Sequence, residues 1–149
     1  NLSKIIEPNV CVSSKRFEAI KKLRDAGIYT GVLMMPLLPF INDTKDNIDK
    51  IINQAYKSRA NFIYPMFGVT LRSNQRFYYY TKLRENFPNL VSKYQNLYSD
   101  KYVCNSPNFK SLQKYFEEKC SKLGITYKMD DIISEYKSKF ESEQISFDL

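Results

Sequence analysis

The sequence predicts an α/β fold, and three observations carry that expectation. Ile28 to Met35 is almost continuously apolar, too short for a membrane span and too unbroken for a strand wetted on one face. Asn61 to Val69 reads as a second buried strand. Stretches with helical apolar spacing lie before, between and after the two. Helix, buried strand, Pro-rich exit loop, helix is the rhythm of a βα barrel or of a doubly wound sheet. In both, chemistry collects at the carboxyl ends of the strands, which points to residues 36–43 as the face of an active site.

In chain order, Leu2 to Ile6 reads as the end of a strand closed by Glu7-Pro8. Ser13-Ser14 offers N-cap hydroxyls for a helix to about Ala26, with Phe17, Ile20 and Leu23 on one face and Gly27 as the residue past its end. Pro36 and Pro39 stop the first strand, since each fixes φ and lacks an N–H. Asn42-Asp43-Thr44 signals a helix start, and Ile48, Ile51, Ile52 and Ala55 keep helical spacing behind it. After the second strand the pattern turns helical. Helices are expected over Ser73–Asn86, from Pro88 through Leu97, over Pro107–Leu123 bounded by Gly124, and over Asp130–Phe140. Of the run Phe77-Tyr78-Tyr79-Tyr80, at least two rings must be core, because one helical turn cannot aim four consecutive side chains at one target.

The 149 residues suffice for one domain with a sizeable core. Net charge is +7 and unevenly spread: after Met129 six acids face two lysines, a local −4 that leaves +11 on the residues before it. A basic body with an acidic end suits contact with nucleic acid or phosphate. Three cysteines without close spacing and no histidine argue against a disulfide framework and against a zinc site. The absence of a membrane span or signal peptide gives an expectation of a cytoplasmic protein. The opening on Asn1 gives an expectation of a piece of a longer chain.

Several of these residues together resemble a family. Glu7-Pro8 followed by Ser13-Ser14 and Arg16, then Ala26-Gly27-Ile28, Pro36-Leu37-Leu38-Pro39 with Asn42-Asp43, and Thr70-Leu71-Arg72 with Gln75 are similar, in that order, to radical S-adenosylmethionine (radical SAM) proteins. The group they resemble is the spore photoproduct lyase-like one, often described as DNA repair photolyases. Tyr102-Val103-Cys104 with Ser106, and the segment from Cys120 to Gly124-Ile125, look like its helical C-terminal extension. The likeness covers most of Leu2 to Ile125, but the family's cluster-binding cysteine triplet is absent. The resemblance implies the last βα units of a partial, TIM-like (β/α) barrel over residues 1–72 and a mostly α-helical extension over 73–140; residues 141–149, which show no helical apolar pattern, read as a flexible tail. It also implies that the full-length protein holds a [4Fe–4S] cluster that cleaves S-adenosylmethionine reductively. On that reading no cofactor is expected on this portion alone, which would be inactive.

On the same resemblance, Glu7, Ser13, Ser14 and Arg16 are the candidates for binding the cofactor's ribose and carboxylate. An arginine fork suits a carboxylate because it makes two parallel charge-assisted bonds. Glu7 also reads as an ion-pair partner of Arg16, and Ser14 as a cap. Asn42 is a substrate-binding candidate at the strand exit, although capping explains both it and Asp43. Arg72, Gln75 and Arg76 leave the second strand's end, where arginine would meet phosphate or carboxylate and the tyrosines that follow could stack on bases. In the tail, Gln144, Ile145, Phe147 and Leu149 resemble the short peptides by which bacterial DNA repair and replication proteins bind the sliding clamp. DNA and that clamp are therefore the expected partners. Strands with open edges would also let the chain dimerise. The alternative is a non-catalytic module that binds nucleic acid or another protein.

Overall fold

Helix α1 (Ser13–Asp25) is the first element of the computed structural model, which describes Leu2, Ile5 and residues 9–138. Leu2 and Ile5 have helical backbone, not the extended one expected for Leu2 to Ile6; a separation of three sets both on one helical side. The N-cap of α1 is Val12, in extended conformation, so Ser13 and Ser14 already lie inside the helix and neither caps it. Phe17 and Ile20 reach the core, whereas Leu23 is 40% exposed. At the other end Gly27 takes φ 79°. Its N–H bonds the carbonyl of Arg24, and that of Ile28 bonds Leu23, closing the helix with the left-handed turn that glycine permits.

The apolar run yields a shorter strand than expected, β1 (Val32–Met34). It pairs parallel with β2 (Ile63–Pro65), in the register Val32↔Ile63, Leu33↔Tyr64, Met34↔Pro65. Between them runs α2 (Lys45–Lys57), whose Ile48, Ile52 and Ala55 are buried. The expectation of a strand buried on both faces does not hold: Met34 is 3% exposed and Leu33 63%. The physical reason is that α2 and α5 (Phe109–Leu123) cover one side of the pair through Ile48, Ile52, Leu112 and Phe116, and among the described residues nothing equivalent covers Leu33.

The second expected strand, Asn61 to Val69, is two. After β2 the chain turns at Met66-Phe67, and β3 (Gly68–Thr70) joins β4 (Val103–Asn105) antiparallel in a separate sheet. Gly68 makes this pairing possible, because a Cβ there would stand 2.6 Å from the Cys104 carbonyl oxygen. Strand β4 falls between two expected helices, where no strand was expected. Its buried Cys104 between exposed Val103 and Asn105 is the period of two that a strand imposes.

Helices α3 (Ser73–Asn86), α4 (Val91–Tyr98), α5 and α6 (Met129–Ser138) follow, with a 3-10 turn at Pro88–Leu90 before α4. Their bounds lie close to the expected ones; Phe140 lies outside the described residues. Of the four-aromatic run, Phe77 and Tyr78 are 78% and 64% exposed, while Tyr79 and Tyr80 turn into the core. The fold is thus mixed α/β, dominated by helix, with two two-stranded sheets among the described residues.

Two cores hold it together. Met34, Leu37, Ile48, Ile52, Ile63, Phe67, Phe116 and Cys120 form the first. Leu38, Val69, Leu71, Tyr80, Leu83, Tyr94, Tyr98 and Cys104 form the second. Each draws on residues from both sides of Arg72. No described helix is long and apolar enough to cross a membrane.

Candidate functional site

The loop from β1 to α2 is where the strand-end rule puts chemistry, and its polar residues turn out to be braced. Thr44 is the cap of α2: its Oγ1 accepts the Asn47 N–H at 3.2 Å. Asn42 and Asp43, for which capping was also expected, do other work. Asn42 Oδ1 accepts the Leu38 N–H at 2.5 Å, and its carbonyl accepts from Asn47 Nδ2 at 2.9 Å. Asp43 is buried and accepts the Ser106 hydroxyl at 2.5 Å. Ser106 Oγ in turn accepts the Asn108 N–H, so a carboxylate from before α2 fixes the start of α5. Leu37, Leu38 and Pro39 are buried, while Met35, Pro36, Phe40 and the cap residue Thr44 are exposed.

Past β3, Arg72 stands exposed as the residue preceding α3, with extended backbone. The Tyr102 hydroxyl beside its guanidinium raises the Arg72 pKa, and the guanidinium lowers that of Tyr102. Gln75 is exposed one turn along. Arg76 is a clamp: Nη1 donates to Ser99 O at 2.6 Å, and Nη2 to the carbonyls of Lys101 at 2.7 Å, Asp100 at 2.9 Å and Leu71 at 3.2 Å. The guanidinium is held in place by the 99–101 turn. Sequence reasoning missed Tyr102 as the partner of Arg72. Residue types gave no local signal, since Tyr102-Val103-Cys104 is an unbroken apolar run; it is the pairing of β3 with β4 that sets Tyr102 beside Leu71.

The residues expected to hold the cofactor lie on the first turn of α1. Ser13, Ser14 and Arg16 are all exposed there, and Arg16 Nε donates to Cys11 O at 3.1 Å. Glu7, and the tail residues Gln144, Ile145, Phe147 and Leu149, lie outside the described residues. Two groups of donors therefore stand at helix starts, Ser13, Ser14 and Arg16 on α1 and Arg72 with Gln75 on α3. Guanidinium and hydroxyl donors at such places are suited to holding anions.

The cysteines present do not fit an iron–sulfur cluster. Cys11 is exposed, while Cys104 and Cys120 are buried in different cores. Burial pushes both buried thiols up, that of Cys120 to about 12, away from the thiolate a metal needs. Among the described residues no three His, Cys, Asp or Glu side chains gather as a metal site.

Comparison with known proteins gives partial likenesses. No family model matches the chain, and no solved structure matches it. Uncharacterized proteins of Mycobacterium bovis and of two strains of Mycobacterium tuberculosis are each 29% identical to it over 97 residues. That match covers 65% of this chain and 28% of each relative, so the chain spans less than a third of the length of the relatives it matches.

Proposed function

We propose that this chain is the C-terminal part of a radical SAM enzyme of the spore photoproduct lyase-like group, the last βα units of a partial barrel with a helical extension. The observation that carries the reading is the parallel β1–α2–β2 unit, with α2 and α5 packed on one face. Leu33, at 63% exposure, lies on the other face, and β1 is an edge strand among the described residues. A barrel strand has helices outside and side chains layered within. A pair lifted from a barrel would therefore show one covered face, one bare apolar face and an unpaired edge.

The described residues contribute binding and orientation in this reading. Ser13, Ser14 and Arg16, together with Glu7 from outside the described residues, would hold the polar ends of S-adenosylmethionine, Arg16 as a fork to its carboxylate. The [4Fe–4S] cluster, which supplies the electron for reductive cleavage, would be carried by residues outside the described ones. Asn42 braces its own loop and so would shape the substrate side without touching substrate. Arg72 and Gln75 would meet an anionic substrate, DNA in the form favoured by the +11 charge before Asp130. Arg76 would set the Ser99–Lys101 turn beside them. The tail from Gln144 to Leu149 would dock on a sliding clamp.

The test is anaerobic reconstitution of the whole gene product with iron and sulfide, then incubation with S-adenosylmethionine and dithionite. Formation of 5′-deoxyadenosine, lowered by about tenfold or more in Arg16→Ala, is expected. No 5′-deoxyadenosine from reconstituted protein overturns the reading.

A second reading, a non-catalytic nucleic-acid module, has its own observation. Phe77 and Tyr78 are exposed side by side, with Lys82 Nζ 5.8 Å from the Tyr78 ring, a stacking surface flanked by charge. Salt-dependent binding of single-stranded DNA, lost in Tyr78→Ala, with no cofactor cleavage by the whole gene product, would favour it.

A further inference from the structure

Three non-glycine residues among those described take positive φ: Arg59, Ser99 and Phe40. Arg59 and Ser99 follow the ends of α2 and α4, where a residue of positive φ is a common way to stop a helix. Phe40 ends no helix. It stands at φ 62° in the loop between β1 and α2, and for a bulky side chain that is an outlier.

The turn around Phe40 explains the conformation but not the residue. The Ile41 N–H bonds the Leu38 carbonyl at 3.1 Å, so Leu38-Pro39-Phe40-Ile41 is a closed turn. Proline fixes negative φ at its second position and Phe40 has positive φ at its third, which is the type II pattern. Glycine or asparagine fills that third place with less strain. The turn is gripped from the interior: Leu38 and Pro39 are buried, the Tyr94 hydroxyl donates to Pro39 O at 2.7 Å, and Asn42 Oδ1 accepts the Leu38 N–H at 2.5 Å. A phenylalanine is thus held, against its backbone preference, at the tip of the loop that leaves the carboxyl end of β1.

Packing does not account for the ring. Phe40 is 38% exposed and meets the fully buried Tyr94 edge-on, with centroids 5.9 Å apart and planes at 68°. Lys93 Nζ lies 5.8 Å from the Phe40 centroid, and no described acid pairs with it. The tip therefore offers an aromatic ring on a rigid base with an uncancelled ammonium beside it. The ring takes a planar partner by stacking, and the ammonium, on its flexible arm, takes an anion attached to that partner. A nucleotide joins a planar base to a phosphate, and the +11 charge before Asp130 favours a polyanion.

We propose that Phe40 stacks on an unpaired base of a DNA strand, with Lys93 on the neighbouring phosphate. The base is unpaired because a base inside the duplex has both faces covered; a single strand or a nucleotide turned out of the helix leaves one face open. The inference rests on the enzymatic reading above only in taking residues 36–43 to face a DNA substrate.

The test is fluorescence anisotropy of the whole gene product with a labelled single-stranded DNA 12-mer, the matching duplex, and an abasic strand of the same length. The single strand should bind about tenfold more tightly than the abasic strand, which keeps the phosphates and lacks the rings. Phe40→Leu and Phe40→Gly should each remove that difference, while Phe40→Trp should keep it. Glycine fits the positive φ, so Phe40→Gly should fold. Lys93→Ala should lower the slope of log Kd against log salt by about 0.7, the share of one phosphate on a single strand. The inference fails if the parent does not prefer the single strand to the abasic one, or if Phe40→Leu and Phe40→Gly keep the preference. A preference lost in Tyr78→Ala but kept in Phe40→Leu places the stacking surface on α3 and overturns it as well. Formation of 5′-deoxyadenosine without DNA should be the same in Phe40→Leu as in the parent. Its absence in both counts against the enzymatic reading, whereas the strand preference alone decides the role of Phe40.

Discussion

Leu37 and Leu38 are adjacent in the chain and belong to different cores. Leu37, 2% exposed, packs in the cluster of Met34, Ile48, Ile63 and Phe116; Leu38, 5% exposed, packs in the cluster of Val69, Leu71 and Tyr94. The loop between β1 and α2 is therefore the seam of the molecule. Leu37→Ala and Leu38→Ala should each cost about 2–5 kcal/mol, the range for a truncated buried leucine. Hydrogen exchange tells them apart. Leu37→Ala should speed exchange in α2 and α5, and Leu38→Ala in α3 and α4. Identical patterns would show one core where two are described.

Tyr115 and Asp49 tie α5 to α2, hydroxyl to Oδ2 at 2.5 Å, with Lys119 Nζ at 3.2 Å from Oδ1. The Tyr115 hydrogen bond holds the Asp49 carboxyl below its usual range against the opposing effect of burial. A carboxyl whose folded pKa is depressed stabilises the fold above its unfolded value, and the gain is lost as pH falls through the folded one. Tyr115→Phe should therefore cost about 1 kcal/mol at neutral pH, a charged hydrogen bond discounted for partial exposure. The difference from the parent should shrink below about pH 4, near the unfolded carboxyl pKa. A difference unchanged at pH 2.5 would place the effect in packing instead.

Tyr94 is fully buried; its hydroxyl donates to Pro39 O at 2.7 Å and shares a hydrogen bond of 2.9 Å with Tyr79. Tyr94→Phe strands a buried carbonyl and a second hydroxyl, at an expected cost of about 1–3 kcal/mol in urea unfolding. Burial pushes Tyr79 up to about 12. A raised phenol pKa gives stability that is whole below the unfolded value near 10 and fades as pH climbs toward 12. Alkaline titration should then show Tyr79 ionising together with loss of tertiary structure, and Tyr94→Phe should move that loss to lower pH.

Arg76 anchors the Ser99–Lys101 turn through carbonyls, not through charge, and the fork matters more than the cation. Arg76→Lys keeps the charge and loses the fork. It should cost about 1–3 kcal/mol, with faster proteolysis at residues 99–101. Parent-like protease resistance in Arg76→Lys would show that the clamp is dispensable.

Most of the helices were legible because helical spacing is local. Ile48, Ile52 and Ala55, and Leu112, Phe116 and Cys120, state their buried faces within one element. Gly27 and Gly124 mark helix ends by a backbone requirement that no neighbour overrides. The strands were harder to read because their burial depends on what comes to lie on them. Leu33 and Met34 look alike in the sequence, and only the packing of α2 and α5 on one side separates 63% from 3% exposure. The split between β2 and β3 depends on Gly68 admitting β4 from some 35 residues further on, a contact invisible to any short window. At the candidate site, Arg72 and Gln75 stand exposed as the strand-end rule suggests, while Arg76 and Asn42 are engaged by backbone partners that local pattern does not reveal.

Leu33 supplies the sharpest test of the barrel reading. At 63% exposure it already lies in water, so in this chain Leu33→Lys should change stability by no more than about 0.5 kcal/mol. In the whole gene product, a barrel interior would bury that side chain, and the same substitution should cost about 3 kcal/mol or more as an unpaired buried charge. The open edge of β1 adds a second readout. If copies of this chain associate along that edge and its bare face, size-exclusion chromatography should show a dimer that Leu33→Lys turns into monomer. Equal, negligible costs in the short and the whole protein would leave the face in solvent in both, and the partial barrel would have to be abandoned.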